Sequence, residues 1–306
     1  MAWPSQRKWE SLGVGLVGLF VWGGVAWGQT RPLLELPPSN LTPGVVSQGV
    51  INFACYDIDG IKFINCTVTT RLGQLDPAFG GHVAHVAPQP LGTIRDVNTP
   101  GAGGVSVTGS TLNGFAVVYK APEASGKVEF VTTWTFPRGY LCLDNLRPTC
   151  TDTDHFDVGL QLQKLDPLND IFYTVIRDNT DTHPDGTSGV ANTINKLKVL
   201  AVLYYIKTNQ VRRLSINDIS LSLGGLFDIN ANWAPPHTSH RRGTGADINR
   251  NARDSNGSPL PALNCPDDVA LQDAIEWLAN GASRPQLVCE QNGIPEPTGP
   301  NIHINF

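Results

Sequence analysis

His237-Thr238-Ser239-His240-Arg241-Arg242-Gly243-Thr244-Gly245-Ala246-Asp247-Ile248 is the stretch on which the reading of this chain turns. His240 and Asp247 stand seven residues apart with Gly243 and Gly245 between them. A helix would separate them by about two turns, whereas a tight glycine turn folds them together. An imidazole nitrogen and a carboxylate oxygen are both zinc donors, and a catalytic zinc usually takes three protein ligands and a water. His303, flanked by the apolar Ile302 and Ile304, is the candidate third ligand. Arg241 and Arg242 match a substrate carboxylate in geometry, or else serve as solvated surface charges.

Working outward, residues 190–207 read as a helix, because Leu197, Leu200, Ala201 and Tyr204 recur at helical spacing. A second helix is expected over 267–279, with Leu271, Ala274, Ile275 and Leu278 on its apolar face. Pro266 and two Asp residues suit its first turn, and Gly281 suits its end. Residues 214–229, 246–248 and 302–306 read as strands. The half from 166 to 306 is therefore expected to be α+β. Residues 41–165 differ in character. Short runs at 50–54, 105–107, 115–119 and 127–134 carry strand patterning, and turn residues such as Asp59-Gly60 and Asn113-Gly114 separate them. Strands at such spacing predict an antiparallel sandwich. Within this half, His82 and His85 in Gly80-Gly81-His82-Val83-Ala84-His85 have the donors to ligate a metal from a loop, or they pack or face solvent.

The first residues read as a signal. Arg7 and Lys8 precede an uncharged, Gly-rich apolar run over residues 12–27. Ala26 and Gly28 are small residues suited to a cut after Gly28. The run is short of the ~20 residues a membrane helix needs, so residues 1–28 are expected to be a cleaved signal peptide rather than an anchor. No stable membrane span is then expected, and the protein is expected to be periplasmic or secreted. Six cysteines follow, at positions 55, 66, 142, 150, 265 and 289. An even count behind an export signal argues for disulfides. Proximity favours Cys55–Cys66, Cys142–Cys150 and Cys265–Cys289, and the absence of any C-x-x-C argues against a thiolate metal site. The 306 residues are 41% hydrophobic and 16% charged, with net charge −5. That composition fills a core and excludes nucleic acid as an expected partner.

The stretch "HTSHRRGTGAD" resembles the H-x-x-G-x-x-x-D zinc motif of the lysostaphin, D-alanyl-D-alanine carboxypeptidase and hedgehog superfamily. The closer likeness is to penicillin-insensitive murein endopeptidases, in which a strand and a Gly pair precede H-x-S-H; here "NDISLSLGGLFDI" precedes "HTSH". The closing "NIHINF" is similar to that family's H-x-H strand. Separately, "FAVVYKAPEASG" at the end of residues 109–126 resembles the late strands of bacterial immunoglobulin-like modules. The resemblances imply an α+β zinc peptidase-like domain over 166–306, preceded by an immunoglobulin-like β-sandwich over 41–165. They imply Zn²⁺ on His240, Asp247 and His303, and peptidoglycan peptides or another extracellular peptide as substrate. His237 would act as the catalytic accessory residue. Asn301 departs from the family, which has a histidine there. Asn cannot serve as a general base, so His237, or less suitably Glu296, must carry the proton, or zinc only braces a binding or adhesion protein. Asn301 is then left to orient substrate. His183 reads as an ordinary loop residue or, as the alternative, one that reaches the cleft, and Asp218 and Asp228 as residues that orient turns or site partners. No phosphate-binding glycine loop and no G-x-S-x-G is present.

Overall fold

The computed structural model describes residues 28–35, 41–44, 50–57, 63–85, 87–99, 101–166, 171–176, 183, 185–228, 231–233, 240–251, 253–254, 256, 258–263, 265, 268–279, 285–291, 294–295 and 301–306. The expected signal segment before Gly28, His237 and Glu296 lie outside them, as do Pro266 and Gly281.

Two hydrophobic cores divide the described residues. The first lies between a five-stranded and a four-stranded sheet. Strand Ile51–Asp57 alternates burial, so that Ile51, Phe53 and Cys55 point inward. Strands Thr67–Asp76 and Gly126–Thr135 of the other sheet answer with Val68, Leu72, Val128, Phe130 and Trp134. Aromatic rings fill the middle: Phe53 stacks on Phe115 at 5.0 Å, and Tyr119 stacks on Phe156 at 5.2 Å. Two disulfides, Cys55–Cys66 and Cys142–Cys150, each tie one sheet to the other.

The second core lies between two helices and a six-stranded mixed sheet. Helix α1 (Ala191–Lys207) buries Leu197, Leu200, Ala201 and Tyr204, the stripe its spacing predicts. Helix α2 (Val269–Ala279) buries Leu271, Ala274 and Ile275, and the Asp268 carboxylate accepts from the Leu271 amide at its start. Both helices pack on the sheet face that carries Ala246, Ile248, Ile302 and Ile304. Those residues come from the antiparallel neighbours Gly245–Asn249 and Asn301–Asn305. The third disulfide, Cys265–Cys289, anchors strand Gln286–Gln291, which pairs with the far side of Asn301–Asn305. The protein is thus sheet-rich α+β, with two helices among the described residues. No helix there is long and apolar enough to cross a membrane.

One expected element is much shorter than its pattern suggests. The strand expected over 214–229 stops at Ile216. Beyond it the backbone turns away from regular pairing. Gly224 and Gly225 adopt left-handed conformations, and the Leu226 amide donates to the Glu123 carbonyl of the first half. A Cβ on Gly225 would stand 2.6 Å from the Ser125 amide nitrogen, so only glycine fits this crossing. The segment wedges between the two cores, and Leu226 belongs to the first of them.

Candidate metal centre

Strand alternation builds the centre. With Ala246 and Ile248 directed to the helices, Asp247 faces the other side of the sheet. The same alternation between Ile302 and Ile304 turns His303 to that side. The register sets Asp247 directly opposite His303, and His303 Nδ1 lies 2.6 Å from Asp247 Oδ1. His240 arrives from a single 3₁₀ turn, His240–Arg242, which ends at Gly243 with φ +65°. A Cβ on Gly243 would meet Gly189 Cα at 2.8 Å. This glycine is what returns the chain into the strand within four residues, and it places His240 Nε2 3.2 Å from the same Asp247 oxygen.

The remaining ring nitrogens fix the tautomers. His240 Nδ1–H donates to the Ile219 carbonyl, and His303 Nε2–H donates to Asn305 Oδ1 at 3.0 Å. His240 Nε2, His303 Nδ1 and Asp247 Oδ1 therefore converge, held together by an imidazole proton donated to the carboxylate or, in its place, by a bound cation. Tethering of the second ring nitrogen to an oxygen acceptor is the usual outer support of a metal-bound histidine. The three side chains are at most 6% exposed. Burial alone would lower the pKa of His240, but the Asp247 carboxylate outweighs it and holds the imidazole above its ordinary value. In return, despite its burial, Asp247 stays well below the usual carboxylate range beside His240 and His303. The donor set His240, Asp247 and His303 thus fits a metal ion.

The other expected site residues are placed less directly. Arg241 pairs through Nη1 with Glu123 of the first half, so an internal carboxylate already engages this guanidinium. Arg241 and Arg242 line a cavity of about 530 Å³ with Thr42, Leu160, Val190 and Thr244. The three metal-centre residues are not part of that lining. Asn301 sits two residues before His303 on the same strand face, opposite Asn249 and Glu290.

A second cluster brings together four residues whose joint role sequence reasoning missed. His85 Nε2 lies 2.8 Å from Asp228 Oδ1 and 3.1 Å from His183 Nε2. His183 Nε2 is also 3.1 Å from Asp228 Oδ1, and His82 Nδ1 is 3.4 Å from His85 Nε2. The only sequence signal was the H-x-x-H spacing of His82 and His85. Burial, reinforced by the neighbouring His183 and His85, pushes His82 down to about 3. Asp228 stays below its ordinary range against burial, because His183, His85 and the Trp233 amide hydrogen-bond to it. Phe227 stacks on His183 at 5.1 Å and on His240 at 5.4 Å, so one ring touches both clusters.

No protein-family profile matches the chain, and no curated protein matches it.

Proposed function

We propose that this chain is an exported zinc metallopeptidase that hydrolyses peptide bonds of peptidoglycan. The observation that carries the reading is the convergence of His240 Nε2, His303 Nδ1 and Asp247 Oδ1, each imidazole being held by an oxygen acceptor at its other nitrogen. The resemblance of "HTSHRRGTGAD" and "NIHINF" to murein endopeptidases supplies the substrate class and the peptidase-like name for the second half, and the separate resemblance of "FAVVYKAPEASG" supplies the immunoglobulin-like name for the first. Three disulfides fit a chain that matures in an oxidising compartment.

His240, Asp247 and His303 would hold the zinc. Zinc bound there supplies a water acidified towards neutral pKa and a Lewis acid for the substrate carbonyl. The Ile219 carbonyl and Asn305 keep the two imidazoles in the ligating tautomer. His237 passes the proton of the attacking water to the leaving amine, since an imidazole exchanges protons near neutral pH. Arg242, which is exposed, is the better placed of the two arginines to meet a substrate carboxylate, because Arg241 is paired with Glu123. The test is to measure bound metal in the purified protein and incubate it with cross-linked muropeptides. Zinc-dependent release of peptide fragments is expected; a metal-loaded protein that cleaves nothing across a panel of wall peptides overturns the peptidase reading.

One observation favours a second reading, a zinc-braced binding or adhesion protein of the envelope. The three ligands are almost completely buried, and Asn301 replaces the basic side chain expected next to the centre. On this reading metal removal lowers stability and abolishes binding, while hydrolysis is absent throughout.

A further inference from the structure

We propose that His82, His85, His183 and Asp228 form a second metal site, a closed four-ligand site for a divalent transition ion of the zinc class, which fastens the first half of the molecule to the second. The proposal does not depend on the peptidase reading.

Four donor atoms face one another: His82 Nδ1, His85 Nε2, His183 Nε2 and Asp228 Oδ1. Zinc bonds of ~2.0–2.1 Å place the ligand atoms of a tetrahedron about 3.3–3.4 Å apart. The four separations recorded here run from 2.8 to 3.4 Å, slightly contracted from that figure. Hydrogen bonding within the cluster accounts for only part of this, since the Asp228 carboxylate can accept from His85 and His183 but the imidazole nitrogens also crowd one another. His85 Nδ1–H donates to the Val83 carbonyl at 3.1 Å, which turns Nε2 toward the other three donors. Even a charged His85 has one hydrogen on Nε2, while Asp228 Oδ1, His183 Nε2 and His82 Nδ1 all crowd that atom. A single cation at the centre satisfies all four donors at once.

The supports are those of a built site. The second oxygen of Asp228 accepts from the Asn232 amide at 2.6 Å and the Trp233 amide at 2.8 Å, which aims Oδ1 at the histidines. The turn that delivers those amides holds Ala231 at φ +51° and Trp233 at φ +62°. Ala84, between the two loop histidines, has φ +55°. Left-handed backbone at non-glycine residues is costly and persists where surroundings over-determine it. The Trp233 indole then packs 4.4 Å from the His85 ring and 5.0 Å from the His82 ring. The side chains of His85 and Asp228 are fully buried, that of His183 is 8% exposed, and His82 is fully buried as a residue. Three imidazoles and one carboxylate suit zinc among the common divalent ions. With four protein donors and no solvent face, the site braces the fold rather than binding substrate. His82 and His85 belong to the loop after the 3₁₀ turn Ala78–Gly80, whereas Asp228 belongs to the wedge segment between the cores.

The experiment is metal analysis of the purified full chain and variants. The parent should carry about two equivalents, and Asp247→Ala and His85→Ala should each retain about one, by counting one ion per complete ligand set. Combining the two substitutions should leave none. An Asp247→Ala protein empty of metal, or a His85→Ala protein with the parent's metal content, overturns the site. Loss of metal in His85→Ala without any loss in Asp247→Ala keeps this site and removes the other, so the two readings fail separately. Should His85→Ala not fold, cobalt(II) loaded into Asp247→Ala gives the same information. Visible absorption of four-coordinate cobalt supports the site, and its absence overturns it.

Discussion

The two histidine-carboxylate clusters are built on opposite plans. In one, Asp247 and His303 face each other across adjacent antiparallel strands, and the sheet's own hydrogen bonds fix their separation. In the other, every ligand comes from irregular backbone: His82 and His85 from a loop, His183 from a separate connection, and Asp228 from the wedge. A strand-borne site is paid for by the folding of the sheet and stands ready for its metal. A loop-borne site has few regular contacts of its own, and its ligand ion supplies part of the order. On the two proposals, the contrast would separate an ion held for chemistry from one held for architecture.

The comparison is broken most severely at Asp247. Asp247→Ala removes the oxygen that both His240 and His303 face, so hydrolysis of a cross-linked muropeptide should be abolished while the loop cluster keeps its ion. Next in size is His237→Ala. It should retain metal at both clusters and lose roughly 10²–10⁴-fold in rate, the usual share of a general acid–base. Asn301→Ala should cost less than that, because an amide can orient groups but cannot take a proton. Full activity in His237→Ala would move the proton-transfer role to Glu296.

The third prediction bears on stability. Replacing both Cys265 and Cys289 by alanine should cost about 2–4 kcal/mol in denaturant unfolding. The loss should weaken metal retention at the strand site, since that disulfide anchors the strand beside Asn301–Asn305, and should affect the loop cluster less. A fourth measurement reads the two plans directly. Chelation should speed amide exchange about tenfold or more at residues 82–85 and 231–233, where local opening is cheap, and change residues 245–249 and 301–305 little. Equal acceleration at both would erase the distinction drawn above.

The smallest effect serves as a control far from both clusters. Burial lifts the carboxyl of Asp152 above its ordinary pKa, and Asp154 and Asp144 add to the lift, while the hydrogen bond from Trp134 opposes it. A carboxyl whose folded pKa is raised costs stability once it ionises. The penalty is absent in acid and develops as pH rises through the raised value. Asp152→Asn retains an acceptor for the indole, so it should be slightly more stable than the parent at neutral pH. That gain should vanish below the carboxylate range, with metal content unchanged at every pH.

How much of this was legible beforehand follows from where each contact is made. The helical stripe of α1 and the alternation through Ile302 and Ile304 are local patterns, and both elements formed where those patterns lie. The convergence of His240 on Asp247 was legible because the two stand seven residues apart around a glycine that the turn requires. The segment after Ile216 was misjudged as one long strand because its apolar residues satisfy a wedge between cores: Asn217 and Asp218 still bond to Asp247 and Ser220 to Ser188, but Gly225 and Leu226 find backbone partners at Arg241 and Glu123. The loop cluster was hidden for a different reason. His183 lies 98 residues from His85, and Asp228 lies 143 from it. No spacing rule spans such distances: the sequence offered only His82 and His85 as a pair with metal donors, while His183 and Asp228 read as separate loop and turn residues.

Phe227 gives the two clusters a common wall, since its ring stacks on one imidazole of each. If both clusters bind ions, a ring shared in this way would couple their uptake. An ion that settles His183 also settles the surface against which His240 must align. By thermodynamic reciprocity, whatever affinity the strand site gains from an occupied neighbour, the neighbour gains from it in equal measure. Titrating the protein with one ion should therefore produce a steeper curve than two independent sites, and a smaller apolar side chain at position 227 should flatten it.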